Sequence, residues 1–135
     1  AGPVVNFLIS MLSLGISGYK KLISEQQQHR KLLEAKLKKF AEKIEERVLD
    51  VFNPVAVAVS LEGLKDDQLY ALGGALYNLR ITGPRVYSPK KKRFGVCCND
   101  FDTPYIVMNA AIGASEQDII SAVEKLEKAY HQITK

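Results

Sequence analysis

The sequence predicts an α/β domain in which a small sheet carries helices packed against it. Three observations predict this. Val55-Ala56-Val57-Ala58-Val59 is a short run, apolar on both faces, which reads as a central strand. Leu69, Leu72, Leu76 and Leu79 recur at three- and four-residue spacing, as one face of a helix does. Ile119, Val123, Leu126, Tyr130 and Ile133 form a second such stripe near the end of the chain. The 135 residues fit one compact domain and can bury a core without disulfide or metal staples.

Val4 to Leu14 reads as a helix, interrupted at Gly15 and Gly18. A long helix then runs from about Ser17 to Leu49, with Leu33, Leu37, Phe40, Ala41, Ile44 and Val48 on its buried side. Its middle, Glu25 to Lys31, is polar all round, so water should surround it there. Phe52-Asn53-Pro54 stops it. The alanine face of the following strand would let a helix approach closely. A helix from about Asp66 to Leu79 comes next, and Gly73-Gly74 within it is read as a place of close packing. Ile81 to Tyr87 is strand-like, with Pro84 arguing for an edge or a bulge. Ser88 to Lys92 turns, Arg93 to Cys98 returns as a strand, Asn99 to Pro104 is a loop, and Tyr105 to Asn109 is a further strand. Ser115 with Asp118 three places on forms a capping box that opens the last helix.

Val4 to Ile16 is too short to span a bilayer, and Ala1-Gly2-Pro3 gives no basic start to a secretory signal. It reads as a buried helix that nothing obvious in the chain covers, a sign of a larger protein. Cys97 and Cys98 are adjacent, so they point to opposite strand faces and make neither a relaxed disulfide nor a zinc site. Reduced thiols fit the cytoplasm. His29 and His131 have no nucleophile or carboxylate beside them that the sequence would single out, and both read as surface residues. No phosphate-loop glycine pattern occurs. No catalytic, cofactor-binding or metal-ligating residue is therefore assigned.

The net charge of +4 permits an RNA or phosphate partner without demanding one. Lys90-Lys91-Lys92-Arg93 is the sharpest charge feature. It could grip RNA phosphates, serve as a short import signal, or be a solvated turn that blunts a sheet edge.

Four blocks carry a resemblance. They are Leu12-Ser13-Leu14-Gly15-Ile16-Ser17-Gly18-Tyr19-Lys20-Lys21-Leu22; Asn53 through Ala58; Leu72-Gly73 through Thr82-Gly83-Pro84-Arg85-Val86; and Pro104 through Asn109-Ala110-Ala111-Ile112-Gly113. In this order and spacing they resemble the C-terminal part of the O-phosphoseryl-tRNA(Sec) selenium transferase family. The resemblance covers nearly the whole chain.

It implies the small C-terminal domain of a type I pyridoxal-phosphate-dependent transferase fold. Residues 1–135 would form that domain, with the apolar helix 1–16 and the long helix 17–49 leading in from a catalytic domain upstream. The implied enzyme is a homotetramer that converts phosphoseryl-tRNA(Sec) to selenocysteinyl-tRNA(Sec) with selenophosphate. Pyridoxal phosphate would sit on the upstream domain, so this chain alone should be inactive. A family lysine that meets the tRNA acceptor arm aligns with Lys135. A family arginine that reads the discriminator base aligns with Leu79, and Arg80 follows at once. The tRNA-facing candidates are therefore Arg80, Lys135 and the run Lys90, Lys91, Lys92 and Arg93, with no membrane partner. The alternatives are the small domain of another type I pyridoxal enzyme and a free-standing RNA-binding or scaffolding module.

Overall fold

The structure, a computed structural model, describes residues 2–90 and 101–135. The elements run α1 (Gly2–Lys43), β1 (Ala56–Ser60), α2 (Asp66–Asn78), β2 (Arg85–Tyr87), β3 (Tyr105–Asn109) and α3 (Glu116–Thr134). The expected strand at Arg93 to Cys98, and both cysteines, lie outside the described residues.

The apolar stripe of α1 builds the core floor. Leu33, Leu37, Phe40 and Ala41 are all at most 1% exposed, and full burial of each large side chain contributes about 1.5–3 kcal/mol. Phe40 meets Tyr130 of α3 edge-on, with ring centroids 5.7 Å apart. Leu69, Leu72 and Leu76 of α2 and Ile119, Val123 and Leu126 of α3 close over the same core.

The two glycines expected to interrupt α1 behave differently. Gly15 takes φ 59° and ψ −179°, a backbone state in which side chains are strained, and kinks the helix. Gly18 is helical and no break. The polar middle of α1 is not simply solvated, because Gln26 is buried. Its Nε2 donates to the carbonyls of Pro54 and Ala110, each at 3.0 Å. A single amide thus ties α1 to the start of β1 and the end of β3. Arg30 Nε donates to the Asn53 carbonyl at 2.6 Å, alongside. Asn53 Oδ1 in turn accepts from Val55 and Ala56 N–H at 2.9 and 2.8 Å, an Asx-type turn that sets the entry to β1.

The long helix ends at Lys43, not at Leu49. Glu45 turns left-handed at φ 59°. The Glu46 N–H then reaches the Ala41 carbonyl at 2.9 Å and the Glu45 N–H the Glu42 carbonyl at 3.4 Å, the two bonds of a Schellman cap. Beyond it the sheet claims the backbone: Ser60 N–H donates to Arg47 O and Leu49 N–H to Ala58 O, both at 2.9 Å. Glu46 holds the turn that follows β1 by accepting from Ser60 Oγ and from the Gly63 N–H.

The sheet is antiparallel, in the order β1-β3-β2. The middle strand is therefore β3, and the valine-alanine strand lies beside it, with Val57 opposite Met108 and Val59 opposite Ile106. β2 is the edge strand that Pro84 predicted, though it starts only at Arg85. Val57, Val59, Ile106 and Met108 face the helices. Among the described residues no helix covers the alanine face. Ala56 and Ala58 line an open hollow of about 230 Å³ with Leu49, Val51, Tyr105 and Val107. Close packing at Gly73-Gly74 is also absent: a Cβ at either position would meet nothing within 4 Å.

Residues 4–16, expected as a buried helix, are largely exposed here, because no other described element packs over them. Phe7, Leu12 and Ile16 are 64, 78 and 71% exposed. Residues 4–16 alone are too short to span a bilayer, but they run on into the 42-residue helix α1, which by length and composition alone is long and apolar enough to cross a membrane.

Candidate nucleic-acid interface

The predicted cations among the described residues, Arg80, Lys90 and Lys135, are sorted by the two ends of α2. At its start, Lys65 precedes the helix and Gln68 Oε1 accepts the Lys65 N–H at 3.0 Å. A lysine side chain offers no acceptor, so the reciprocal half of a capping box cannot form. Gln68 Nε2 instead donates to the Ile133 carbonyl at 3.2 Å. That bond brings the C-terminal end of α3, and with it Lys135, to the start of α2. Lys135 is the exposed C-cap residue of α3.

Lys90 arrives at the same place. Its Nζ lies 2.8 Å from Asp66 Oδ2, and Ser88 Oγ donates to Asp66 Oδ1 at 3.0 Å. The Asp66 hydrogen bond, then its charge, hold the Lys90 ammonium above its ordinary range. Asp66 also belongs in the first turn of α2, where the helix dipole favours a negative charge. The Lys90 charge is thus already matched within the chain, which fits the solvated-turn reading as well as an RNA contact. Lys91, Lys92 and Arg93 lie outside the described residues.

Arg80 occupies the opposite end. α2 has 13 residues, so about 20 Å separates it from the Lys65, Lys90 and Lys135 group. Its backbone is left-handed, φ 62°. The Arg80 N–H donates to Tyr77 O at 2.9 Å and the Ile81 N–H to Leu76 O at 3.0 Å, a second Schellman cap. The helix has therefore ended before Arg80, and its side chain does not follow the helical 100° step. Leu79, which aligns with the family arginine, is half-buried against the core. That position is used for packing, and the exposed cation stands one residue later. Arg80 has no ion pair among the described residues. With Tyr77, Asn78 and Thr82 it lines a hollow of about 400 Å³.

Sequence reasoning missed Lys65 and Tyr77. Lys65 was legible as the residue before Asp66-Asp67 with Gln68 three places on. Tyr77 was legible as an aromatic off the leucine stripe of α2. It is 69% exposed.

Pyridoxal phosphate needs a sheltered lysine beside a phosphate cradle. No described lysine is buried, and none lines the four hollows beside Ala58, Asp50, Arg80 and Glu45. These residues do not fit that cofactor. Nor do the described residues bring three His, Cys, Asp or Glu side chains together as a metal site.

Residues 1–131 match the family model of O-phosphoseryl-tRNA(Sec) selenium transferase. The chain is 41% identical over 129 residues to the O-phosphoseryl-tRNA(Sec) selenium transferase of Methanocaldococcus jannaschii, covering 95% of this chain and 29% of that protein. It is 42% identical over 130 residues to the enzyme of that name from Methanopyrus kandleri, again 95% of this chain and 29% of the relative. A crystal structure of archaeal O-phosphoseryl-tRNA(Sec) selenium transferase superposes with a TM-score of 0.81 at 41% identity, over 93% of this chain and 28% of that one. The chain therefore spans less than a third of the length of the relatives it matches.

Proposed function

Because the chain belongs to the O-phosphoseryl-tRNA(Sec) selenium transferase family, we propose that it works as one part of a transferase of that kind and supplies contacts to the tRNA acceptor arm. The observation that carries the reading is the placement of exposed cations at both ends of α2, Lys65 and Lys135 at one end and Arg80 at the other. Their separation of about 20 Å spans roughly seven base pairs of an A-form arm, so one arm lying along α2 can touch both ends. Phosphates would meet the lysine end, since lysine acts as a point charge, and Arg80 would meet the base at the arm's tip.

In this reading the remainder of a family-length protein supplies pyridoxal phosphate, the selenophosphate site and the chemistry. The reaction takes phosphoseryl-tRNA(Sec) to selenocysteinyl-tRNA(Sec) in the cytoplasm, and the 135-residue chain alone is inactive. The exposed apolar helix at residues 4–16 would pack against that remainder or a second subunit of a tetramer, because apolar surface of this extent drives association.

The test is a chimaera of the Methanocaldococcus jannaschii enzyme whose matching segment is replaced by this chain. The chimaera should form selenocysteinyl-tRNA(Sec), and the enzyme lacking the segment should not. A soluble chimaera that keeps its cofactor absorbance and binds phosphoseryl-tRNA(Sec) but makes no product would count against the reading.

A further inference from the structure

Past Gly15 no residue of α1 leaves helical geometry, so a turn of about 100° per residue places its side chains. Lys20, Lys21, Lys31, Lys38 and Lys39 then fall within one arc about 100° wide. The other positions in the arc are Ser17, Ser24, Gln28, Ala35 and Glu42, and every side chain in it is exposed. The arc faces away from Leu33, Leu37 and Phe40, the buried side of the helix. A helix face that needs only to be wet usually mixes both signs in pairs four residues apart. Here the lone carboxylate in the arc, Glu42, stands at its end. Glu25 and Glu34 border the arc and reach it only at 3.9 Å to Lys21 and 3.4 Å to Lys38. Lys20, Lys31 and Lys39 have no ion pair among the described residues. The row runs about 29 Å from Lys20 to Lys39. α3 packs against both α1 and α2 and separates this row from the cations at the ends of α2.

The chemistry of the row selects its partner. No aromatic or large apolar side chain lies in the arc, so it can neither stack on free bases nor anchor in a lipid surface or a protein interface. Its lysines are point charges, and Ser17, Ser24 and Gln28 add hydrogen-bonding groups of the kind that meet phosphates and ribose hydroxyls. We propose that this face of α1 is a second RNA surface, which takes the phosphate backbone of about ten base pairs of A-form duplex without reading its sequence. Its occupant is a double-helical arm other than the one along α2. That the polyanion is RNA rests on the acceptor-arm reading above.

The test uses the 135-residue chain and a blunt RNA duplex of about 12 base pairs, with affinity followed by fluorescence anisotropy at several salt concentrations. Lys20→Gln, Lys31→Gln and Lys39→Gln are combined, since glutamine keeps the helix propensity of lysine. Three lost phosphate contacts should lower the slope of log affinity against log salt by roughly 2 to 2.7. The wild-type advantage should then shrink about 20- to 40-fold between about 50 and 200 mM salt. Arginine at the same three positions should keep the slope. Lys43→Gln with Lys125→Gln and Lys128→Gln, an equal loss of charge outside the arc, should change it by less than about one. Three results overturn the inference: an unchanged slope in the arc variant, an equal fall in the control variant, or a single strand of the same sequence that binds as tightly as the duplex. An arc variant that keeps duplex binding but loses binding to phosphatidylserine vesicles would assign the face to a membrane instead. If the arc variant is silent while Lys135→Glu lowers the slope for tRNA, the acceptor-arm reading stands and only this surface falls. If Lys135→Glu is silent and the arc variant is not, the reverse holds. A wild-type chain that binds no duplex even at low salt removes this surface outright.

Discussion

The side-chain amide of Gln68 fastens the start of α2 to the end of α3: Nε2 donates to the Ile133 carbonyl at 3.2 Å while Oε1 accepts the Lys65 N–H at 3.0 Å. Both groups it serves are helix-end backbone atoms without an intrahelical partner. Gln68→Ala should therefore destabilise the chain by about 1–2 kcal/mol, as two net hydrogen bonds would. Gln68→Glu keeps the acceptor and loses the donor, so it should recover about half. Urea unfolding with an unchanged m-value reads both. The lost anchor should also let Lys135 fray and weaken RNA binding.

Arg80 stands where stability alone would choose glycine. Arg80→Gly removes a left-handed side chain that costs about 1 kcal/mol, and the exposed arginine gives up no packing. The variant should melt several degrees higher. Gly74→Ala, in an exposed helix interior with nothing near the added methyl, should gain about 1 kcal/mol as well. For Arg80→Gly, higher stability should accompany weaker RNA binding, a combination that a purely structural arginine would not give.

The exposed helix at residues 4–16 should make the isolated chain self-associate. Phe7, Leu8 and Leu12 are all more than half exposed, and a contiguous apolar surface of this kind seeks cover. Sedimentation velocity should show oligomers that grow with concentration, and Phe7→Glu with Leu12→Glu should return the chain to a monomer. A strictly monomeric wild-type chain at high concentration would remove the argument that this helix is an interface.

Acid should loosen α3 from its N-terminus. The side chain, then the backbone, of Ser115 donates to the Asp118 carboxylate and holds it below its ordinary value of 3.8. A carboxylate depressed in the folded state contributes stability above about pH 3.8 and loses it as the pH falls through the folded value. Ser115→Ala should shrink that acid-dependent part of the stability while changing the neutral melting temperature by only a few degrees, measured by thermal melts from pH 6 to pH 2.

Much of the fold was legible because its signals are periodic. The Leu69 to Leu76 stripe, the β3 run at Tyr105–Asn109 and the Ser115–Asp118 box all appear where their spacing places them. The misreadings have a common cause, which is that tertiary contacts compete with local pattern. The helical spacing of Ile44 and Val48 suggested a helix to Leu49, but the edge of β1 captures that backbone, and Glu45 closes the helix without the glycine that would have announced it. Glu25 to Lys31 looked fully solvated because a glutamine gives no sign that two distant carbonyls, at Pro54 and Ala110, will bury it. Of the candidate site, Arg80, Lys90 and Lys135 were singled out from the resemblance and from charge, and Lys65 was not. Their grouping was not legible, because it rests on Gln68 spanning 65 residues to Ile133.

The most direct test of the central claim is the salt dependence of tRNA(Sec) binding by the wild-type chain and by Lys135→Glu. A lysine that neutralises one phosphate releases one counterion, so the variant should lower the slope of log affinity against log salt by roughly 0.7 to 0.9. It should weaken different tRNAs about equally, because a phosphate contact carries no sequence information. An unchanged slope and affinity in Lys135→Glu would contradict the assignment of this end of α3 to the acceptor arm.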